Sequence, residues 1–118
     1  MRKLLLFIGI LCIGISSEAQ EKNKNAKITF EVNGICEMCK ERIEMAALKT
    51  KGVKFANWTI GTHQLSLIFD ERKIDEITIH TNIAAVGHDT QKIKATDEAY
   101  NNLHSCCKYD RENPNFGH

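Results

Sequence analysis

A chain of 118 residues with 16 Lys and Arg against 15 Asp and Glu carries a formal charge of +1. That balance says little by itself, and no basic patch is evident of the kind nucleic acid or anionic lipid calls for. The length suits one small domain, and with 5 cysteines in it, thiol chemistry is the feature to explain.

Arg2 and Lys3 precede an apolar run from Leu4 to Ile15, and Ser17-Glu18-Ala19 sets small residues where a signal peptidase reads. Residues 1–19 therefore read as a secretory signal peptide cleaved after Ala19. The run is short of the roughly 20 residues a spanning helix needs, and bulky Leu11 before Cys12 argues against a lipid anchor. The mature protein is expected to be exported, periplasmic or extracellular. Cys12 leaves with the signal, and Cys36, Cys39, Cys106 and Cys107 remain. In an oxidising compartment such a set can also form two disulfides.

Residues 20–26 are polar and read as a disordered leader. From Lys27, Ile28, Phe30 and Val32 alternate with polar residues, a half-buried strand. A helix starting at Cys39 follows, with Ile43 and Ala47 on its inner face and Met45 and Leu48 on the shoulder, and Gly52 ends it. Val53 to Ile60 and Gln64 to Asp70 alternate as two strands of a hairpin. Ile79, Ile83 and Val86 stripe a second helix over about Ile74 to Val86, Gly87 stops it, and His88 to Lys94 makes a last short strand. The order is βαββαβ, an α+β ferredoxin-like fold over residues 27–95 with both helices on one face of a four-stranded antiparallel sheet.

This topology delivers Cys36 and Cys39 to one edge, where the N-terminal end of a helix favours thiolate. Such a pair can exchange electrons, close half a zinc site, or grip a soft ion reversibly. A thioredoxin-like oxidoreductase sets a cis-proline against its dithiol, yet the only proline is Pro114 in the tail. CxxC with an adjacent Cys-Cys is unusual spacing for structural zinc. An RNA-binding module would expose aromatic residues on its central strands, and Phe30 falls on the inward register.

The tail, residues 96–118, holds Tyr100 and Leu103, spaced to dock a helical turn, and then His104, Cys106 and Cys107. Adjacent cysteines rarely bond to each other. The segment is long enough to return along a strand's length of roughly 20 Å and bring Cys106 or Cys107 to the CxxC edge as a ligand or disulfide partner. His63 and His80 read as surface residues.

Gly34-Ile35-Cys36-Glu37-Met38-Cys39 after a strand, Ile43 in the helix, Gly52-Val53 behind it and Gly87-His88-Asp89 before the last strand together resemble the heavy-metal-associated domain. That family is found in copper chaperones, copper-pumping ATPases and periplasmic mercuric-ion-binding proteins, and the likeness is to a small exported member with a Cys-Cys tail. It implies a monomeric metal-binding protein, not an enzyme, in which Cys36 and Cys39 hold Cu(I), with Hg(II) or Zn(II) as other cargoes, and exchange it with a metal-transporting ATPase or membrane transporter. A mercuric-ion carrier and a thiol-disulfide oxidoreductase are the alternatives. The family loop reads Gly-Met-x-Cys-x-x-Cys; here Gly34 is one residue nearer the first cysteine and the methionine is absent. His88 falls at the same edge, where relatives often carry an aromatic residue, and is read as a third ligand or a donor to a thiolate.

Overall fold

The computed structural model describes residues 21–112, so the expected signal peptide, Gln20 of the leader and residues 113–118 of the tail with Pro114 lie outside the described residues. The elements are β1 (Ala26–Glu31), α1 (Glu37–Leu48), β2 (Val53–Thr59), β3 (Gln64–Phe69), α2 (Glu76–Ala85), α3 (Asp97–Asn101) and a 3-10 turn, Ser105–Cys107. Among the described residues no helix is long and apolar enough to cross a membrane.

β3 lies between β1 and β2, antiparallel to both. Alternation decides which side is buried: Leu65, Leu67 and Phe69 of β3 turn inward, Leu65 opposite both Phe30 and Trp58. These residues form one core with Ile43 and Ala47 of α1 and Ile79 and Ile83 of α2, so both helices cover the same face. Asp75 caps α2 by accepting from the Thr78 backbone N–H. The expected leader is partly tied down, since Asn23 and Glu71 exchange hydrogen bonds of 3.0 and 3.1 Å.

The expected four-stranded sheet has three strands among the described residues. In place of a strand over His88 to Lys94 there is a single antiparallel bridge, Val32 with Thr90. The reason is local. Thr90 Oγ1 accepts from the backbone N–H groups of Lys92 and Ile93, and the Thr90 N–H donates to the Ile93 carbonyl, so a turn consumes the groups a ladder would use. Asp89 then takes the Ala95 N–H at 2.8 Å and steers the chain into α3.

Three smaller expectations are also corrected. α1 starts at Glu37 with Cys36 as its N-cap, not at Cys39. It ends at Leu48, and Gly52, at φ +99°, shapes the turn into β2. His80 is fully buried rather than on the surface: its ring stacks on Phe30 at 3.8 Å, and its nitrogens meet Thr90 Oγ1 at 2.6 Å and Glu76 at 3.0 Å. A histidine on an otherwise apolar stripe, with a carboxylate one turn back, is satisfied inside the core.

Candidate metal centre

The loop from Val32 to Cys36 rests on Trp58, whose indole N–H donates to the Val32 carbonyl at 3.1 Å. Gly34 fits here because a Cβ would lie 3.1 Å from both the Cys39 Cβ and the Trp58 ring. Trp58 thus occupies the space beneath the loop.

At the end of this loop Cys36 caps α1, and its carbonyl accepts from the Lys40 N–H at 3.0 Å. Its Sγ lies 3.6 Å from the sulfurs of Cys39, Cys106 and Cys107. The sulfurs of Cys36, Cys106 and Cys107 lie within 4.8 Å of one another, while Cys39, fully buried, joins through Cys36 at 3.6 Å and also meets the Cys107 thiol. All four are free thiols. Cys107 is buried with the Arg42 guanidinium donating to its sulfur at 3.4 Å, whereas exposed Cys106 donates to the Met38 thioether at 3.5 Å.

The thiols differ in acidity for reasons visible in their surroundings. Burial pushes the Cys36 thiol up, but the Cys39 backbone N–H and the thiols of Cys107, Cys106 and Cys39 outweigh it and bring it to about 7. Burial, with the Cys107 thiol, pushes Cys39 well up. Its bond to Cys36, then desolvation, raises Cys106 to about 11. Alkylation of the reduced protein at pH 7.5 should therefore mark Cys36 first and leave Cys39 and Cys107 protected. Peptide mapping after short exposure to iodoacetamide reads the order directly, and equal labelling of all four would contradict the arrangement.

A latch holds the tail at this edge. The Tyr109 hydroxyl donates to the Gly87 carbonyl at 2.7 Å and accepts from the Asp89 N–H at 2.9 Å. Arg111 grips Asp89 through two nitrogens at 2.8 and 3.1 Å, donates to the Ala95 carbonyl at 2.6 Å and stacks over the Tyr100 ring. Bidentate pairing of this kind fixes orientation as well as distance. Tyr100 and Leu103 dock as the sequence suggests, Leu103 buried against Gly87.

His88 lies apart from the mutually close thiols. It is fully buried, stacks on Tyr109 with ring centroids 5.7 Å apart, and braces the loop by donating its Nδ1–H to the Asn33 carbonyl at 2.8 Å, while its buried Nε2 has no hydrogen-bond partner among the described residues. Burial lowers its pKa to about 4, with Arg42 adding to the effect and the Asn33 carbonyl and Asp89 opposing it. The ordinary range near 6.5 thus does not apply. Because the unfolded chain binds the proton first, His88 contributes stability fully present above about pH 6.5 and lost as pH falls toward 4, about 3 kcal/mol at most. Buried His80 is lowered too and acts in the same direction. The capping and paired carboxylates of Asp75 and Glu76 are also lowered, so their share is lost only at more acid pH. Urea midpoints measured from pH 7 to 4 should fall, and less steeply in His88→Gln, which keeps a donor for Asn33.

Sequence reasoning named the four cysteines and missed Met38, Arg42, Tyr109 and Arg111. The nearest signal was in plain view: Met38 sits inside the CxxC motif, and Arg42 lies one helical turn past Cys39.

No family model matches the chain. The zinc-transporting ATPase of Synechocystis sp. (strain ATCC 27184 / PCC 6803 / Kazusa) is 36% identical over 68 residues, which are 57% of this chain, and the chain spans only 9% of the length of that relative. Among solved structures, the CopZ metallochaperone is 26% identical with a TM-score of 0.54, over 55% of this chain and 98% of that one. Oxidized MerP from Ralstonia metallidurans CH34 is 25% identical with a TM-score of 0.55, over 57% and 94% of the two chains. A copper binding domain from HMA7, a P-type ATPase, is 26% identical with a TM-score of 0.53, over 55% and 89%. With its CxxC loop at the strand-to-helix edge, the chain holds a domain that is heavy-metal-associated-like, in a fold shared with these neighbours.

Proposed function

We propose that this chain is an exported carrier or scavenger of a soft metal ion, with Cu(I) its cargo. Cys36 and Cys39 are the primary ligands, Cys106 and Cys107 complete the donor set, and a metal-transporting ATPase or another membrane transporter is the exchange partner. The observation that carries the reading is one sulfur, Cys36 Sγ, 3.6 Å from each of three other thiols. Thiolate and thioether donors select soft ions. The Met38 thioether beside Cys106 extends the set in the same direction. Likeness to the CopZ metallochaperone and to a copper binding domain of a P-type ATPase supports the same cargo and the same class of partner. Export rests on the signal-like residues 1–19. In this reading His88 braces the loop that carries Cys36.

Zinc is the second reading, favoured by the 36% identity to a zinc-transporting ATPase. A tetrahedral site with Zn–S bonds of about 2.3 Å needs four sulfurs all about 3.8 Å apart. Cys39 stands outside the group of mutually close sulfurs, which leaves that cage open. Competitive titration of the reduced protein with Cu(I), Zn(II) and Hg(II), with X-ray absorption to count sulfur neighbours, separates the cargoes. Tight Cu(I) binding with all-sulfur ligation is the expected result. Preference for zinc, or binding unaffected by alkylating the thiols, would overturn the reading.

A further inference from the structure

The donor set around Cys36 exceeds what one Cu(I) ion uses. Such an ion is satisfied by two or three sulfurs, yet five converge here: the four cysteine sulfurs and the Met38 thioether, linked through contacts of 3.5 and 3.6 Å. They also divide by depth. Cys39 is buried at the core end of the cluster, whereas Cys106 and Met38 are exposed at its rim, 40% of Met38 being accessible. Cys36 is the sulfur common to both halves.

Resting on the proposed Cu(I) reading, we infer that the site takes two Cu(I) ions in one chain, one on the Cys36–Cys39 pair and a second on Cys106 and Cys107 with Met38 at its rim, the Cys36 sulfur bridging the two. A thiolate sulfur keeps lone pairs after binding one ion, so it can bridge without any change in the protein. Each thiol that becomes a ligand releases its proton to solvent. Charge points the same way. Four thiolates around a single monovalent ion leave three negative charges in a partly buried site, of which the Arg42 guanidinium, 3.4 Å from Cys107, offsets one. A second Cu(I) offsets another. The thioether adds a soft donor without adding charge, which suits a rim position facing water.

The split between the halves also assigns roles to the tail. The inner pair stands on β1, α1 and Trp58. The outer pair stands on a 3-10 turn held by Tyr109 and Arg111. Capacity for the second ion therefore depends on the tail, and capacity for the first does not.

Anaerobic titration of the fully reduced protein with Cu(I), buffered by a chromogenic chelator and followed by native mass spectrometry, should end at two ions per chain. X-ray absorption at that point should contain a copper–copper shell. Cys106→Ser, at an exposed position, should stop at one ion per chain. Met38→Leu, which keeps the volume and loses the sulfur, should weaken only the second ion, about tenfold. Saturation of the wild type at one ion with no copper–copper scattering would overturn the two-ion site and leave the carrier reading standing, as would two ions retained in both variants. Failure to bind any Cu(I) would overturn the carrier reading itself.

Discussion

Replacing Cys36 alone with serine is expected to lower Cu(I) affinity more than replacing any other cysteine, by at least a hundredfold. Loss of a residue that merely supports a ligand already costs about 10–100-fold, and the Cys36 sulfur lies 3.6 Å from each of the three others. Its removal leaves Cys39 buried with a thiol that burial and the Cys107 thiol make reluctant to ionise. The substitution is also clean. Cys36 is the N-cap of α1 and makes no side-chain capping bond, whereas serine is among the preferred capping residues. Helix stability should be unchanged or raised by about 0.5–1 kcal/mol, so lost affinity cannot be blamed on unfolding. Cys39→Ser differs, because a hydroxyl placed at a fully buried position costs about 1–3 kcal/mol when unpartnered. Comparing the thermal melts and Cu(I) affinities of the two single variants checks both halves of the expectation. Near wild-type affinity in Cys36→Ser would remove it from the centre of the site.

Period-two alternation was enough to place β1, β2 and β3 within a residue or two, because each has one face in the core. The helical stripes of Ile43 with Ala47 and of Ile79 with Ile83 were equally legible. The last strand was not, because the competing structure there is built from side chains: Thr90 Oγ1 and the Asp89 carboxylate capture backbone N–H groups that the pattern alone assigns to a ladder. The start of α1 was misplaced for a related reason, since a cysteine offers no capping oxygen to announce itself. At the site, spacing found Cys36 and Cys39, and the apolar pair Tyr100 and Leu103 argued for a returning tail. The latch went unseen because Arg111 and Asp89 are far apart in sequence and meet only once the missing strand has become a turn.

The second large effect is expected at Gly87, which joins the end of α2 to the tail. Its φ of +108° lies where a side chain is strained, at a cost of about 1–2 kcal/mol. A Cβ there would also meet the Leu103 Cδ2 at 2.8 Å and the Ala99 carbonyl oxygen at 2.9 Å. The leucine could turn aside, but the carbonyl belongs to the backbone of α3 and can yield only if α3 moves. Overpacking of this kind adds about 1–3 kcal/mol, so Gly87→Ala should destabilise the protein by about 2–5 kcal/mol through the tail rather than through the sheet. The Gly87 carbonyl is the acceptor for Tyr109, so the same shift loosens the latch and draws Cys106 and Cys107 away from Cys36. Three readings should move together: a melting temperature lower by about 10 °C or more, alkylation of Cys107 rising toward that of an unprotected thiol, and fewer sulfurs around bound Cu(I). An unchanged melt with Cys107 still protected would show that Arg111 and Tyr109 seat the tail without the close fit at Gly87. Loss of the strand circular dichroism signal would place the damage in the sheet instead.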